Sequence, residues 1–138
     1  MGTESLRFEV PPDYDKCFGC GKGNPIGLKL KFRNEEKIAR CEFTPGPQYQ
    51  GWPGVVHGGI LSTILDEAMG WASLFYGRKT VTGKLEVRFR RPARIGEPLV
   101  VEGRITRDSG RFLIAEASAK DSEGNIVAEA SGIMFVIP

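Results

Sequence analysis

The chain has 138 residues, of which 41% are hydrophobic and 26% charged, and its formal net charge is +2. This length predicts one domain that buries a hydrophobic core without disulfide or metal staples. The small net charge argues against attraction to nucleic acid or membrane through bulk charge, and the sequence has no charge-free apolar run of about 18 residues to span a bilayer.

The N-terminus and the cysteine count predict a cytoplasmic protein. The first 14 residues lack a basic start followed by an apolar segment, so no secretory signal is visible. Three cysteines are an odd number. That number fits a reducing compartment better than a disulfide framework.

The first third of the chain predicts a lead-in and two strands. Residues 1–16 contain a Pro-Pro pair and little periodicity, which predicts an extended N-terminal lead-in before a single domain at 17–138. Residues 28–33 alternate apolar and basic side chains, as a half-buried strand does. A second strand is predicted over 37–43, with the acid-rich residues 34–36 as the hairpin turn.

A long loop and a single long helix follow. Residues 44–54 hold three prolines and three glycines, which argues against regular structure there. Residues 58–76 predict a helix of about 28 Å at 1.5 Å per residue. At 100° per residue the helix has one apolar stripe that we expect to pack on a sheet; it consists of Leu61, Ile64, Leu65, Ala68, Ala72 and Phe75.

The opposite face of this helix carries Asp66 among small residues. Ser62 and Gly70 lie one turn from it and Ser73 lies two turns away, and Thr63 and Glu67 border them. Small neighbours in place of long solvated side chains predict that another backbone or a ligand covers this face. We expect a second subunit together with substrate to do so.

The residues at the start of the helix predict an anion-binding group that complements Asp66. The first amide N–H groups of a helix lack intrahelical partners. The sequence His57-Gly58-Gly59 lets a ligand oxygen approach them, and the positive end of the helix dipole favours negative charge there. Amide donors with the Asp66 carboxylate about two turns further on resemble an oxyanion site plus a base or nucleophile for acyl chemistry.

The last third of the chain predicts four strands. Residues 84–90 alternate until Pro92 ends the strand, and further strands are predicted near 97–107, 111–121 and 125–137. Short, turn-rich connections predict an antiparallel meander. The fold class is therefore α+β, with one helix covering one face of the sheet.

These motifs together resemble a known family. The sequence HGG with an aspartate nine positions after the histidine, the preceding QGWPG loop and a strand ending in RFRRP are similar to hotdog-fold thioesterases of the 4-hydroxybenzoyl-CoA thioesterase superfamily, in particular its phenylacetate-pathway-like branch. The likeness spans about 17–137 and includes CFGCGKGNPIGLKLKF at 17–32. It implies a hotdog fold, in which an antiparallel sheet of five to six strands wraps a long central helix.

The resemblance also implies an activity and an assembly. It implies hydrolysis of acyl-CoA thioesters to free acid and CoA, without a metal or cofactor. It implies homodimers whose sheets join edge to edge, often paired into homotetramers. Nucleic acid and membrane are not expected partners.

The resemblance assigns roles to individual residues. Asp66 corresponds to the catalytic carboxylate, acting as general base or as nucleophile. Gly58 corresponds to the residue whose amide polarises the thioester carbonyl, with Gly59 beside it. Thr82 corresponds to a hydroxyl that in a dimer reaches the partner's site. His57 is expected to hydrogen-bond the loop and shape the site, with general-base action as the alternative.

Substrate-binding residues are implied less directly. Arg88, Arg90 and Arg91 lie where the phosphates of CoA could be held, although a solvated strand edge is the plain alternative. Gln50, with Gln48 as a second candidate, stands where relatives use an amide before the HGG loop to position water. The rival functions are a non-catalytic acyl-CoA-binding module on the same fold and an enoyl-CoA hydratase.

The motif Cys17-Phe18-Gly19-Cys20 invites a zinc hypothesis, with Cys41 and His57 completing the ligand set. One CxxC without a second pair is a weak signal. We therefore predict a reduced, structural cysteine pair and no metal site, and we expect Glu67 to be an interface or solvent-edge acid.

Overall fold

The structure is a computed structural model that describes residues 12–138, so most of the predicted lead-in, residues 1–11, lies outside the described part. A six-stranded antiparallel sheet packs against one long helix. The elements are β1 (Arg33–Glu35), β2 (Ile38–Phe43), α1 (Gly58–Tyr76), β3 (Thr80–Phe89), β4 (Leu99–Asp108), β5 (Phe112–Lys120) and β6 (Ile126–Val136), with short 3-10 helices at Pro12–Lys16 and Pro47–Tyr49.

The strand order β1-β2-β4-β5-β6-β3 corrects the predicted four-strand meander. The β4–β5 and β5–β6 hairpins form as predicted, but β3 pairs with β6 at one edge and β4 pairs with β2. The segment between β3 and β4 does not make a tight turn because it is bound elsewhere. The amide of Val56 donates to the carbonyl of Ala93 at 2.8 Å, and the amide of Ile95 donates to the carbonyl of Gly54 at 3.0 Å.

The loop at 44–54 is more regular than its composition predicts. It contains the 3-10 helix Pro47–Tyr49 and forms isolated bridges from Gln50 to Val56 and from Val55 to Arg94. Prolines and glycines exclude a long helix or strand but permit these short units.

The predicted first strand is displaced. Residues 28–32 alternate in burial as expected, since Leu28, Leu30 and Phe32 are buried. However, the amides of Leu28 and Leu30 donate to the carbonyls of Phe18 and Gly19, both at 2.9 Å, so this segment binds the CFGC loop. The ladder with β2 begins only at residue 33, and the hairpin turn lies at 36–37, where both residues have positive φ.

Helix α1 has the predicted bounds, and all six residues of the predicted stripe are buried. It ends at Gly77, which adopts the left-handed conformation (φ 100°) typical of helix C-termini. At the middle of the helix, the backbone of β4 approaches closely: a Cβ at Gly103 would lie 2.4 Å from the carbonyl oxygen of Ala68. Among residues 12–138, no helix is both long and apolar enough to cross a membrane.

Candidate active site

Asp66 and Thr82 are in direct contact. The hydroxyl of Thr82 donates to Oδ1 of Asp66 at 2.5 Å. Thr82 reaches the helix because its pairing partner on β6 is the buried Met134, so both side chains lie on the helix side of the sheet. The family resemblance implies that Thr82 reaches the partner's site in a dimer, whereas within this chain its hydroxyl contacts the half-buried Asp66 carboxylate and orients it.

The amides of the first two residues of α1, Gly58 and Gly59, differ in their hydrogen bonding. Nδ1 of His57 accepts a hydrogen bond from the Gly59 amide at 2.8 Å, so His57 caps the helix with its own side chain. The Gly59 N–H is thereby used. The Gly58 N–H has no acceptor among residues 12–138, which makes it the amide available to a ligand oxygen.

The hydrogen bond from the Gly59 amide also limits how His57 can act. Because Nδ1 accepts the Gly59 N–H, only Nε2 remains to act on a ligand. The carbonyl of His57 also accepts the amides of Ile60 and Leu61, at 3.0 and 3.1 Å. This geometry agrees with the loop-shaping hypothesis for His57.

An open cleft of about 560 Å³ lies at the helix start, with Gln50, Trp52, His57 and Gly58 among its lining residues. The side-chain oxygen of Gln50 accepts the amide of Gly54 at 2.8 Å, which holds the loop in shape. Trp52 is 82% exposed and projects beside the cleft. A Cβ at Gly58 would lie 3.5 Å from the ring of Phe89, so the end of β3 lies close to the Gly58 amide.

The two halves of the site are separated within one chain. Gly58 and Asp66 are eight residues apart on α1, which corresponds to about 12 Å along the axis. An oxyanion donor must lie about 3 Å from the oxygen, and the attacking atom about 3–3.5 Å from the carbonyl carbon. The Gly58 amide and the Asp66 carboxylate of one chain therefore do not directly contact the same carbonyl group.

Arg88 and Arg90 lie on the other face of the sheet. They alternate with Val87 and Phe89 along β3 and line a cleft on the outer surface, about 330 Å³ in volume, that also holds several acids. Nε of Arg90 donates to Glu129, so this guanidinium already has a partner. The structure thus does not bring these two residues to Asp66, while Arg91 is exposed just beyond the end of β3.

Glu67 lies next to two thiols and not at a subunit interface or solvent edge, where the sequence predicts it. Sγ of Cys17 donates to Oε1 of Glu67 at 3.5 Å, and Cys20 completes the cluster. Tyr14 packs beside it on Trp71, with ring centroids 5.9 Å apart. Around Glu67 the helix face predicted to meet a second subunit is therefore covered by residues 14–20 of the same chain.

Burial controls the ionisation of this cluster. Loss of water around the carboxyl raises the pKa of Glu67 above its ordinary value. Burial, followed by the nearby Glu67 charge, raises the pKa of the Cys20 thiol. Neither Cys41 nor His57 joins the group, because Cys41 is buried in β2 and His57 caps the helix.

A family profile described as the thioesterase superfamily matches residues 53–128, which is more than half of the chain. The chain belongs to this superfamily. The matched range contains Gly58, Asp66 and Thr82, and the six-stranded sheet around one long helix is the hotdog fold of its structural relatives.

Individual relatives agree with this assignment. The chain is 32% identical over 119 residues to the acyl-coenzyme A thioesterase THEM4 of Bos taurus, covering 83% of this chain and 49% of that protein. It spans about half the length of the first curated relatives that it matches.

Solved structures share the fold. A thioesterase superfamily protein superposes with a TM-score of 0.84 at 25% identity, over 88% of this chain and 60% of the other. A hypothetical thioesterase of Streptococcus pneumoniae, solved with coenzyme A, superposes with a TM-score of 0.74 at 18% identity, over 78% and 85% of the two chains.

Proposed function

We propose that the protein is an acyl-CoA thioesterase that hydrolyses a thioester to free acid and CoA. The observation that carries the proposal is the Asp66 carboxylate, held by the Thr82 hydroxyl on a helix that begins with the unpaired Gly58 N–H. The names of the relatives, acyl-coenzyme A thioesterases, and the CoA-bound structure of the S. pneumoniae protein support the substrate class.

The reaction follows from these two groups. Asp66 either takes a proton from the attacking water or attacks the thioester carbon itself. The Gly58 amide, at the positive end of α1, stabilises the negative charge that forms on the carbonyl oxygen. Collapse of the tetrahedral intermediate expels the CoA thiolate, which leaves as the thiol after protonation. Where Asp66 has attacked, water then hydrolyses the resulting mixed anhydride, which releases the acid and restores the carboxylate. Thr82 orients the carboxylate throughout.

We infer further that each site is shared by two copies of the chain. The exposed edge strand β3 bears the apolar residues Val81, Leu85 and Phe89, which are 51%, 37% and 53% exposed. A long apolar edge strand of this kind is a template for pairing with another chain. Pairing of β3 with β3 of a second copy extends the sheet and brings neighbours to Leu85 and Phe89 on its helix side and to Val81 on its outer side.

Antiparallel pairing of two β3 strands brings the Gly58 amide of one chain to the Asp66 carboxylate of the other. A two-fold axis makes the two β3 strands antiparallel, so the beginning of one lies opposite the end of the other. Thr82, near the beginning, contacts Asp66. Phe89, at the end, lies against Gly58. The Asp66 of one chain therefore faces the Gly58 of its partner, which removes the 12 Å separation found within a chain.

Release of free thiol from a panel of acyl-CoA substrates tests the activity. We expect turnover by the wild type, and a loss of at least about 100- to 1000-fold in Asp66→Asn, as large as the loss of one oxyanion donor in other enzymes. Glu86→Gln, the same chemical change on the outer sheet face, should keep the wild-type rate. Wild-type turnover by Asp66→Asn on the best substrate would refute the mechanism.

Gly58→Pro tests the amide. Proline at the first helical position removes the N–H without disturbing the helix, and we expect a 100- to 1000-fold loss of rate. Gly58→Ala is the matched control, because it keeps the N–H and its Cβ fits at 3.5 Å from Phe89. Equal rates in the two variants would exclude the amide from the reaction.

Mixing inactive variants tests the shared site. Asp66→Asn and Gly58→Pro chains, combined and allowed to exchange, should regain roughly a quarter of the wild-type activity, because half of the dimers are hybrids with one intact site. Sites built within one chain would regain nothing. The enoyl-CoA hydratase alternative is not favoured, since the hydrogen-bond partner of Asp66 is Thr82 and no histidine.

A further inference from the structure

Cys17, Cys20 and Glu67 form a cluster outside the proposed active site. The inference drawn from this cluster does not rest on the proposed function. In place of the metal-free cysteine pair that the sequence predicts, we propose that Cys17, Cys20 and Glu67 form a zinc site that fastens the segment at 14–20 to the middle of α1. The three side chains come from two parts of the sequence and converge on one point: their ligand atoms all lie within 4.8 Å of one another.

The spacing agrees with tetrahedral coordination of zinc. Zinc binds thiolate sulfur at about 2.3 Å and carboxylate oxygen at about 2.0–2.2 Å, so at the tetrahedral angle the sulfur and oxygen lie about 3.5–3.7 Å apart. The distance between Sγ of Cys17 and Oε1 of Glu67 is 3.5 Å. These two atoms are therefore already separated by the distance that a shared zinc ion requires.

The loop that carries the cysteines is built around the carboxylate. A Cβ at Gly19 would lie 2.2 Å from Oε1 of Glu67, and a Cβ at Gly21 would lie 2.2 Å from the carbonyl oxygen of Asp15. Any other residue at position 19 would displace the carboxylate. The Gly21 amide donates to the carbonyl of Cys17 at 2.9 Å, so the turn is closed by its own backbone.

Neighbouring segments hold this loop from the other side. The carbonyls of Phe18 and Gly19 accept the amides of Leu28 and Leu30, both at 2.9 Å. The two thiols are thus presented from a fixed frame, as a metal site requires.

A cation at this cluster would offset the cost of burying a charged Glu67. Glu67 is half-buried, and within the described residues no lysine, arginine or histidine forms an ion pair with it. A buried carboxylate without a positive partner is costly. Two thiolates and a carboxylate suit zinc, because soft sulfur ligands select it over magnesium or calcium. A water molecule takes the fourth position, as in other zinc sites with three protein ligands.

Metal content and metal titration test the site directly. Protein purified without added metal should contain close to one zinc per chain. After removal of metal by a chelator under reducing conditions, titration with Zn²⁺ should saturate at one equivalent and raise the melting temperature with zinc concentration. Co²⁺ should give the charge-transfer band of thiolate ligands, and this measurement on the wild type needs no variant to fold.

Matched variants identify the ligands. Cys17→Ser and Glu67→Gln should each weaken zinc binding by more than the roughly 10- to 100-fold that loss of an outer-shell partner costs. Cys41→Ser should bind zinc as the wild type does, because Cys41 is buried in β2, away from the cluster.

Three outcomes would overturn the proposal. The first is a reduced wild-type protein that takes up neither Zn²⁺ nor Co²⁺. The second is Glu67→Gln with unchanged zinc affinity, which would remove the carboxylate from the site. The third is equal loss of zinc in Cys41→Ser, which would place the metal elsewhere.

Discussion

Replacing Gly103 by alanine tests the contact that positions the central helix. A Cβ at Gly103 would lie 2.4 Å from the carbonyl oxygen of Ala68 and 2.6 Å from its carbon, both backbone atoms. Interiors are close-packed, so α1 must retreat from β4 by roughly 0.6 to 1.0 Å to reach an ordinary contact. Overpacking of this kind costs about 1–3 kcal/mol of unfolding free energy.

The matched control is Gly132→Ala, also on a strand that faces α1. There the new Cβ would lie 3.0 Å from the end of the Met69 side chain and 3.1 Å from the carbonyl oxygen of Lys84. Both contacts are longer than the 2.4 Å at Gly103, so we expect a smaller cost, about 1 kcal/mol. Both changes reduce the entropy of the unfolded chain equally, so that contribution cancels in the comparison.

Urea denaturation measures both variants. Gly103→Ala should lower the transition midpoint at an unchanged m-value, and in a domain of this size its melting temperature should fall by roughly 3 to 15 °C. Because Asp66 lies half a turn before Ala68, a shift near 1 Å should also lower thioester hydrolysis by up to about 100-fold. A midpoint equal to that of the wild type would refute the close approach of β4 to α1.

Three further changes test other parts of the structure. Leu65→Ala removes a side chain with 0% exposure and should cost about 2–5 kcal/mol of unfolding free energy in denaturant; a cost below 1 kcal/mol would contradict the packing of this core. Gly70→Ala places its Cβ in open space and should raise stability by about 0.5–1 kcal/mol through helix propensity; a loss would show that another chain packs there. The hydrogen bonds from Arg33 hold the pKa of Glu42 below its ordinary value, so this pair stabilises the fold above that ordinary pKa and the benefit disappears as pH falls through the folded value. Glu42→Gln should therefore be less stable than the wild type near neutral pH, by under about 1 kcal/mol because the Glu42 side chain is 53% exposed, and equally stable in acid; a difference that is constant with pH would contradict this.

The sequence predicts the elements whose evidence is local. The bounds of α1 follow from a long apolar pattern between Gly58 and the helix-ending Gly77. The hairpins β4–β5 and β5–β6 follow from alternation and from turns whose glycines, Gly110 and Gly124, have φ of 85° and 83°. The position of β3 at the far edge could not be predicted in this way, because strand pairing with β6 depends on contacts remote in sequence.

The residues of the two side-chain clusters on α1 also differ in how far the sequence predicts them. The HGG motif and the spacing to Asp66 single out residues of one helix, and the resemblance adds Thr82, which the structure places at Asp66. The contact between Glu67 and Cys17 joins residues 50 apart. Helical periodicity states which face Glu67 occupies but not which segment covers it, so no local signal identifies the cysteines as its partners.

The adjacent acids of α1 act on two different surfaces because successive helical residues point about 100° apart. Asp66 faces Thr82 at the exposed edge of the sheet, where a second copy completes the proposed site. Glu67 faces the loop of residues 17–20, which fixes the rotation of the same helical turn. Asp66 and Glu67 are joined by one peptide unit, so we expect the position of that loop to influence the position of the Asp66 carboxylate. Zinc at Glu67 would hold the proposed catalytic carboxylate in register with Thr82 without contacting the substrate.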